Sequence, residues 1–310
     1  MNILVTGGAG YIGSVLTPLL LGRGHAVTVL DNFMYRQNSL LDCCTHKCLR
    51  IVRGDVRDSQ TMRSLISQAD VVLPLACLTG APLCSRDPQT AAAVNFEAVK
   101  SMVEMMSRDQ LLIFPSTNSG YGVGQGDIFC DESTPLRPVS LYGRLKVDLE
   151  ARLLDSGTSV TFRFATLFGI SPRMRLDLLV NDFTYRAVTD HCTILFEPHF
   201  KRNYLHVRDA AQAFMHTIQN YAVMKGRPYN VGLSNANLSK WELCERIQKH
   251  VQGFYFVAGE IGEDPDKRNY VVSNERIEST GFTPAFSLDD GIAELVKGYQ
   301  VVRRLEYCNT

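Results

Sequence analysis

Apolar positions along this chain follow two alternating rhythms. Short runs at residues 2–5, 26–30, 49–52, 71–75, 111–114 and 160–164 have the length and composition of buried strands. Between them lie stretches with helical spacing, among them 11–23, which stops at Gly24, and 91–106. The strand runs are continuously apolar, as they must be when both sheet faces are covered. Strand–helix alternation of this kind predicts a parallel α/β sheet with helices on its two faces. After residue 165 the rhythm loosens. The chain therefore divides into a doubly wound domain over 1–165 and a smaller C-terminal substrate-binding lobe over 166–310. A buried-looking run at 203–207 predicts a return to the first domain near 203–220.

Composition narrows the partners. Apolar residues make up 45% and charged residues 21% of the 310, and 32 Lys and Arg balance 32 Asp and Glu. That balance gives no reason to expect nucleic acid as a partner. The longest apolar runs, about eight residues, fall far short of the roughly 20 that a membrane span needs, so no membrane is expected. Nine cysteines are scattered without CxxC pairs and with no apolar leader, so free thiols and a cytoplasmic location are expected. Cys43, Cys44, Cys48 and His46 lie close in sequence, but structural zinc sites draw on two separated ligand pairs, and no metal is expected.

The first run leads into Gly7, Gly10 and Gly13, which sit between a strand and a helix. In that context the first glycine permits a tight turn and the second lets backbone approach a diphosphate. The third allows close packing of a helix whose N-terminus attracts the phosphates. This is the fingerprint of a Rossmann sheet. Asp31 closes the second strand about 20 residues on, where a carboxylate accepts from ribose hydroxyls and repels a 2′-phosphate, favouring NAD over NADP. A strand-end turn former is the plainer reading of Asp31. Asp55, in Gly54-Asp55-Val56 after the third strand, has two readings of similar weight, an adenine contact and turn chemistry.

Tyr142 and Lys146 stand at i and i+4, on one face of a helix. A nearby ammonium and a nicotinamide cation would both favour the phenolate, letting Tyr142 take a proton from a hydroxyl. Thr117, after the run at 111–114, would hydrogen-bond the reacting oxygen. Alone, a tyrosine–lysine pair at this spacing is most often a surface pair; the strands and glycine loop upstream favour function.

TGGAGYIG, Asp31, GDV, PLA at 74–76, Asn95, STNSGYG and YGRLK occur in the order and spacing of the extended short-chain dehydrogenase/reductases, the nucleotide-sugar epimerase/dehydratase group. The chain resembles that family over essentially its whole length. The resemblance implies an NAD-dependent enzyme with Thr117, Tyr142 and Lys146 as catalytic residues. It places Gly7, Gly10, Tyr11, Ile12, Gly13, Asp31, Asn32, Asp55, Val56, Leu75, Ala76 and Asn95 at NAD with Tyr142 and Lys146, Asn95 in a structural role. It also implies a homodimer through the Tyr-Lys helix and a neighbouring one.

Where the family's 4,6-dehydratases carry an Asp-Glu or Ser-Glu pair after the threonine, this chain has Asn118 and Ser119. Neither side chain does acid–base work near neutral pH, so elimination is disfavoured, and decarboxylation with it. Hydride chemistry remains, as net C4 oxidation or as 4-epimerisation. The strings at 168–187, 202–209 and 262–274 resemble a subgroup acting on GDP-activated heptoses, which implies oxidation of the C4 hydroxyl for surface-polysaccharide synthesis. A non-catalytic NAD-sensing protein is the rival outside enzymes, and the intact Tyr142 and Lys146 count against it.

Asn118, Ser119, Arg173, Asn181, Arg202 and Arg268 are the candidate substrate contacts; Arg202 and Arg268 match diphosphate- or ribose-gripping positions, and forked arginine donors suit that work. Arg175 and Asp177 lie beside them. Singly, each arginine is more often a surface or salt-bridge residue. Thr166 departs from the family's frequent asparagine, which leaves the sugar contact there open. His206 reads as a satisfied core histidine, and Met174, Met215 and Met224 as core.

Overall fold

The computed structural model describes residues 1–124, 128–260 and 268–302; Cys308 and residues 262–267 of the last string lie outside the described residues. The first half alternates as its apolar rhythm predicts. It runs β1 (Asn2–Thr6), α1 (Gly13–Gly22), β2 (Ala26–Asp31), β3 (Leu49–Arg53), α2 (Ser59–Ile66), β4 (Val71–Pro74), α3 (Ala81–Arg86) and α4 (Pro88–Ala92). A π-helical turn at Ala93–Glu97 joins α4 to α5 (Ala98–Met105), so the stretch at 91–106 is helical with one widened turn. Then come β5 (Leu111–Thr117), β6 (Phe129–Cys130), α6 (Leu141–Asp155) and β7 (Val160–Phe164). The second half holds β8 (Thr166–Phe168), α7 (Leu179–Thr189), β9 (Cys192–Leu195), β10 (Lys201–His206), α8 (Val207–Met224) and β11 (Arg227–Val231). It ends with β12 (Asn237–Ser239), α9 (Lys240–His250), β13 (Tyr255–Ala258), β14 (Val271–Val272), α10 (Glu275–Glu278) and α11 (Leu288–Gly298).

Seven parallel strands form the main sheet in the order β11-β7-β5-β4-β1-β2-β3. Successive β1 residues serve opposite faces: Ile3 and Val5 join the core under α1 and α8, while Leu4 joins the core under α2, α5 and α6. The period of two in a strand makes this unavoidable, and it is why these strands read as unbroken apolar runs. Strand order reverses between β1 and β4. A crevice must open there, outside the carboxyl ends of those strands.

One expectation is corrected. The run at 203–207 forms a strand, β10, but it pairs with β8 and β12 in a separate three-stranded sheet. The chain returns to the main sheet through α8, which packs on α1, and through β11, which extends the edge beside β7. Periodicity shows that a strand is buried; it does not show which sheet buries it. The second lobe has its own core around Phe168, Leu176, Val180, Leu243, Ile247, Ile292 and Leu295. Met174, Met215 and Met224 are buried. So is His206, bonded through Nε2 to Glu294 at 2.7 Å while Nδ1 accepts from the Arg208 amide. Among the described residues no helix is long and apolar enough to cross a membrane.

The lobes are stitched at the glycine loop. The Tyr11 hydroxyl donates to the Gly169 carbonyl at 2.6 Å, Ser171 Oγ donates to the Tyr11 carbonyl at 2.8 Å, and the Ser14 and Ser171 hydroxyls lie 2.9 Å apart. These bonds fix the segment after β8 against the start of α1.

Candidate active site

Two adjoining cavities, of about 180 and 630 Å³, fill the crevice and share Gly7, Gly10, Tyr35, Leu75, Cys77 and Arg173 in their walls. Together they make one cleft that runs from the end of β2 to the start of α6. Gly7 has φ +70°, and a Cβ there would stand 2.5 Å from the Ala76 amide nitrogen. At Gly13 a Cβ would meet the Gly7 carbonyl oxygen at 2.5 Å. Only glycine lets the loop fold this tightly, so that Gly10, Tyr11, Ile12 and Gly13 bring the N-terminus of α1 to the cleft wall.

The smaller cavity is lined by Asp31, Asn32, Asp55, Val56, Leu75 and Ala76 as well as the loop. The Asp31 carboxylate accepts from the amides of Ala9, at 3.0 Å, and Phe33, at 2.8 Å, which holds it at the strand end. Asp55 carries a bidentate bond from Arg57, at 2.8 and 2.7 Å, which holds its carboxyl below the usual carboxylate range. Asn95 lies behind the wall. Its side chain clamps both the amide and the carbonyl of Leu78, at 2.8 and 2.9 Å, and so shapes the 75–80 segment rather than lining the cleft.

These residues fit a dinucleotide. The cleft combines a helix N-terminus with a strand-end carboxylate, and its lining residues Gln37 and Ser116 each carry a buried polar atom, Oε1 and Oγ, with no hydrogen-bond partner among the described residues. Buried polar atoms of this kind call for a polar ligand or water.

Thr117, Tyr142 and Lys146 line the larger cavity together. Thr117 ends β5; its hydroxyl donates to Ser119 Oγ at 2.9 Å and accepts from the Ser119 amide. Ser140 caps α6 by accepting from the Gly143 amide at 3.1 Å, which starts the helix just before Tyr142. Lys146 is buried, donates to the Pro115 carbonyl at 2.8 Å and stands 4.4 Å from the Phe114 ring centroid. Burial pushes the Tyr142 phenol above its ordinary range, and the guanidiniums of Arg175 and Arg268 oppose that rise. The sequence points to Lys146 as the charge acting on Tyr142. In the structure its ammonium is turned to the strand carbonyl, and the arginines are the opposing charges.

The six candidate substrate residues separate. Ser119, Arg173 and Arg268 line the larger cavity, and Arg268 bonds the Ser119 hydroxyl. Asn118, Asn181 and Arg202 do not line it. Asn118 is buried beneath the turn after Thr117. Asn181 accepts from the Gly169 amide at 3.0 Å and donates to the Arg175 carbonyl at 2.8 Å and the Tyr11 hydroxyl at 3.3 Å, so it holds the wall from behind. Arg202 is buried with its guanidinium 5.7 Å from the Tyr270 ring centroid. Order along the chain and the family resemblance put each of them near the cleft but did not give the direction of its side chain. Thr166, Arg175, Cys77 and Tyr35 also line the cleft; Cys77 and Tyr35 carry no motif that would have revealed them.

A buried guanidinium braces the two elements that carry the candidate catalytic side chains. Arg163, on β7 beside Ser116, bonds Glu150 of α6 at 2.8 Å, the Tyr121 hydroxyl at 3.0 Å and the Glu132 carbonyl at 3.2 Å. Glu150 lies one and two helical repeats beyond Lys146 and Tyr142 on the same face, and Tyr121 ends the turn that follows Thr117. An arginine inside the run VTFRF was the available sign, because a charge in a buried strand needs a buried partner.

Residues 3–232 match the family described as NAD dependent epimerase/dehydratase. A UDP-glucuronic acid decarboxylase of Arabidopsis thaliana is 25% identical over 97% of this chain and 70% of its own length. A dTDP-glucose 4,6-dehydratase of Streptomyces griseus is 29% identical over 96% of this chain and 94% of its own. Among solved structures, the UDP-glucose 4-epimerase of Thermus thermophilus in complex with NAD superposes with a TM-score of 0.83, at 24% identity, covering 98% of this chain and all of that one. These proteins are named for three different reactions, so likeness alone does not select one.

Proposed function

The chain belongs to the NAD-dependent epimerase/dehydratase family, an enzyme family acting on nucleotide sugars, and on that premise we propose that it oxidises the C4 hydroxyl of a GDP-linked sugar, GDP-D-glycero-α-D-manno-heptose, to the 4-keto sugar. One observation carries the choice of hydride chemistry. Among the described residues lining the larger cavity there is no aspartate or glutamate, while Lys146, Arg173, Arg175 and Arg268 all line it. Elimination asks for an acid–base pair at the sugar; an anionic diphosphate asks for cations.

In this reading Tyr142 takes the proton of the C4 hydroxyl, and the Thr117 hydroxyl bonds the same oxygen and orients it. Arg175 and Arg268 are the charges that favour the phenolate, while Lys146 is anchored on the Pro115 carbonyl. Arg268, which bonds the Ser119 hydroxyl, supplies a cation for the substrate's diphosphate. The cofactor, when bound, accepts the hydride from C4. The heptose and the guanine rest on the likeness of the strings at 168–187 and 202–209 to the GDP-heptose subgroup. A cytoplasmic homodimer joined through α6 and α5 completes the proposal, and a monomeric mass by light scattering would remove the dimer.

The test is incubation of the enzyme with GDP-D-glycero-α-D-manno-heptose, following absorbance of reduced cofactor and the sugar product together. Reduced cofactor with a 4-keto sugar supports oxidation. A C4 epimer formed with no net reduction of NAD overturns it in favour of a 4-epimerase.

A further inference from the structure

We propose that Arg173, a residue of the second lobe, belongs to the cofactor rather than to the sugar, and that it closes over the NAD diphosphate on a platform made by Tyr35. The proposal rests on the cleft binding NAD and not on which sugar is oxidised.

Position is the first ground. Arg173 lines both cavities, and the other residues that do so include Gly7 and Gly10. Those glycines mark where the diphosphate passes from the adenosine side to the nicotinamide side. Arg173 therefore stands at the waist of the cleft. Its placement is fixed from outside, because its amide donates to Ser14 Oγ at 3.3 Å and the preceding Ser171 is bonded to both Tyr11 and Ser14. The guanidinium is thus carried by the second lobe but registered against the first helix turn of the NAD loop.

The second ground is its bed. The guanidinium carbon lies 3.9 Å from the centroid of the Tyr35 ring, a close face-on contact in a buried setting. Tyr35 comes from the segment after β2, and in that segment Phe33 and Arg36 hold left-handed backbone, φ 56° and 55°. Non-glycine residues keep such dihedrals only where the surroundings impose them, and ligand clamps are where they gather. Gln37 Oε1 is buried in the same wall with no partner among the described residues. Segment and arginine together form a clasp that spans the two lobes. Burial, with Arg175 nearby, pulls the Arg173 guanidinium down to about 10, still cationic at neutral pH, so a diphosphate seated between it and α1 would relieve a cation already desolvated.

The experiment measures NADH release from the loaded protein by fluorescence, with no nucleotide sugar present, in wild type and in Arg173→Gln, Tyr35→Ala and Tyr35→Phe. Release at least tenfold faster is expected for Arg173→Gln and Tyr35→Ala, the scale of losing a desolvated cation–ring contact. Tyr35→Phe keeps the ring and should stay within twofold of wild type. Calorimetry adds a second reading: Arg173→Gln should weaken ADP-ribose at least tenfold and adenosine by less than twofold. Stoichiometric NADH uptake at saturation shows that each variant is folded. Wild-type release in Arg173→Gln or in Tyr35→Ala overturns the proposal, as does Tyr35→Phe releasing as fast as Tyr35→Ala. So does an Arg173→Gln protein that loses affinity for GDP while keeping it for ADP-ribose, which would return the arginine to the substrate. Because no sugar is used, failure here leaves the oxidation test untouched.

Discussion

Replacing Arg163 with methionine tests the brace behind the proposed catalytic side chains. The guanidinium and the Glu150 carboxylate are almost wholly buried, with side chains 7% and 1% exposed. Arg163→Met leaves that carboxylate in a dry site without its cation, a cost of about 3–5 kcal/mol. It also strips a donor from the Glu132 carbonyl and one from the Tyr121 hydroxyl. Each kcal/mol lowers Tm by roughly 2 °C in a chain of this size, so the fall should be roughly 6–10 °C. The double variant Glu150→Leu/Arg163→Met removes both charges. It should regain most of the loss and keep a residual of about 1–3 kcal/mol from the Glu132 carbonyl left unpaired. Thermal melts of wild type, both single variants and the double variant read the whole cycle. A loss below about 1 kcal/mol for Arg163→Met, or a double variant no more stable than Arg163→Met, refutes the argument. A catalytic consequence follows from geometry: trio placement tolerates about 0.5 Å of drift, so kcat per bound NAD should fall in the double variant even where Tm recovers.

Three further outcomes are expected. Tyr142→Phe should lower kcat by about 10²–10⁴-fold while NAD still binds stoichiometrically, since only the proton acceptor is lost; retained turnover removes Tyr142 from the chemistry. Oxidation should speed up as pH rises, because burial holds the Tyr142 phenol above its ordinary range and only the deprotonated form accepts the proton. Arg175→Gln deletes a charge that opposes that rise, so the rising limb of kcat/KM against pH should move to higher pH; a shift to lower pH contradicts the assignment. Gly7→Ala forces a Cβ to within 2.5 Å of the Ala76 amide on left-handed backbone, with strain of about 1–3 kcal/mol, and NAD titration should show weakened binding.

Much of this protein is written locally. The main-sheet strands at 2–5, 26–30, 49–52, 71–75, 111–114 and 160–164, the glycine loop, Asp31 and the Tyr142–Lys146 spacing could all be read from residue order. Each depends on a period of two, a period of 3.6 or a turn of a few residues, and those are properties of neighbours in the chain. Orientation and partnership are not. The sequence placed Asn118, Asn181 and Arg202 near the substrate, and only packing turned them away from the cleft. It gave 203–207 as a strand, and only sheet pairing put that strand in the second lobe. Tyr35, Cys77 and the Arg163 brace became visible when segments far apart in sequence came together, because which side chain faces a cavity is set by burial of the rest of its element, a sum over contacts that no local pattern contains.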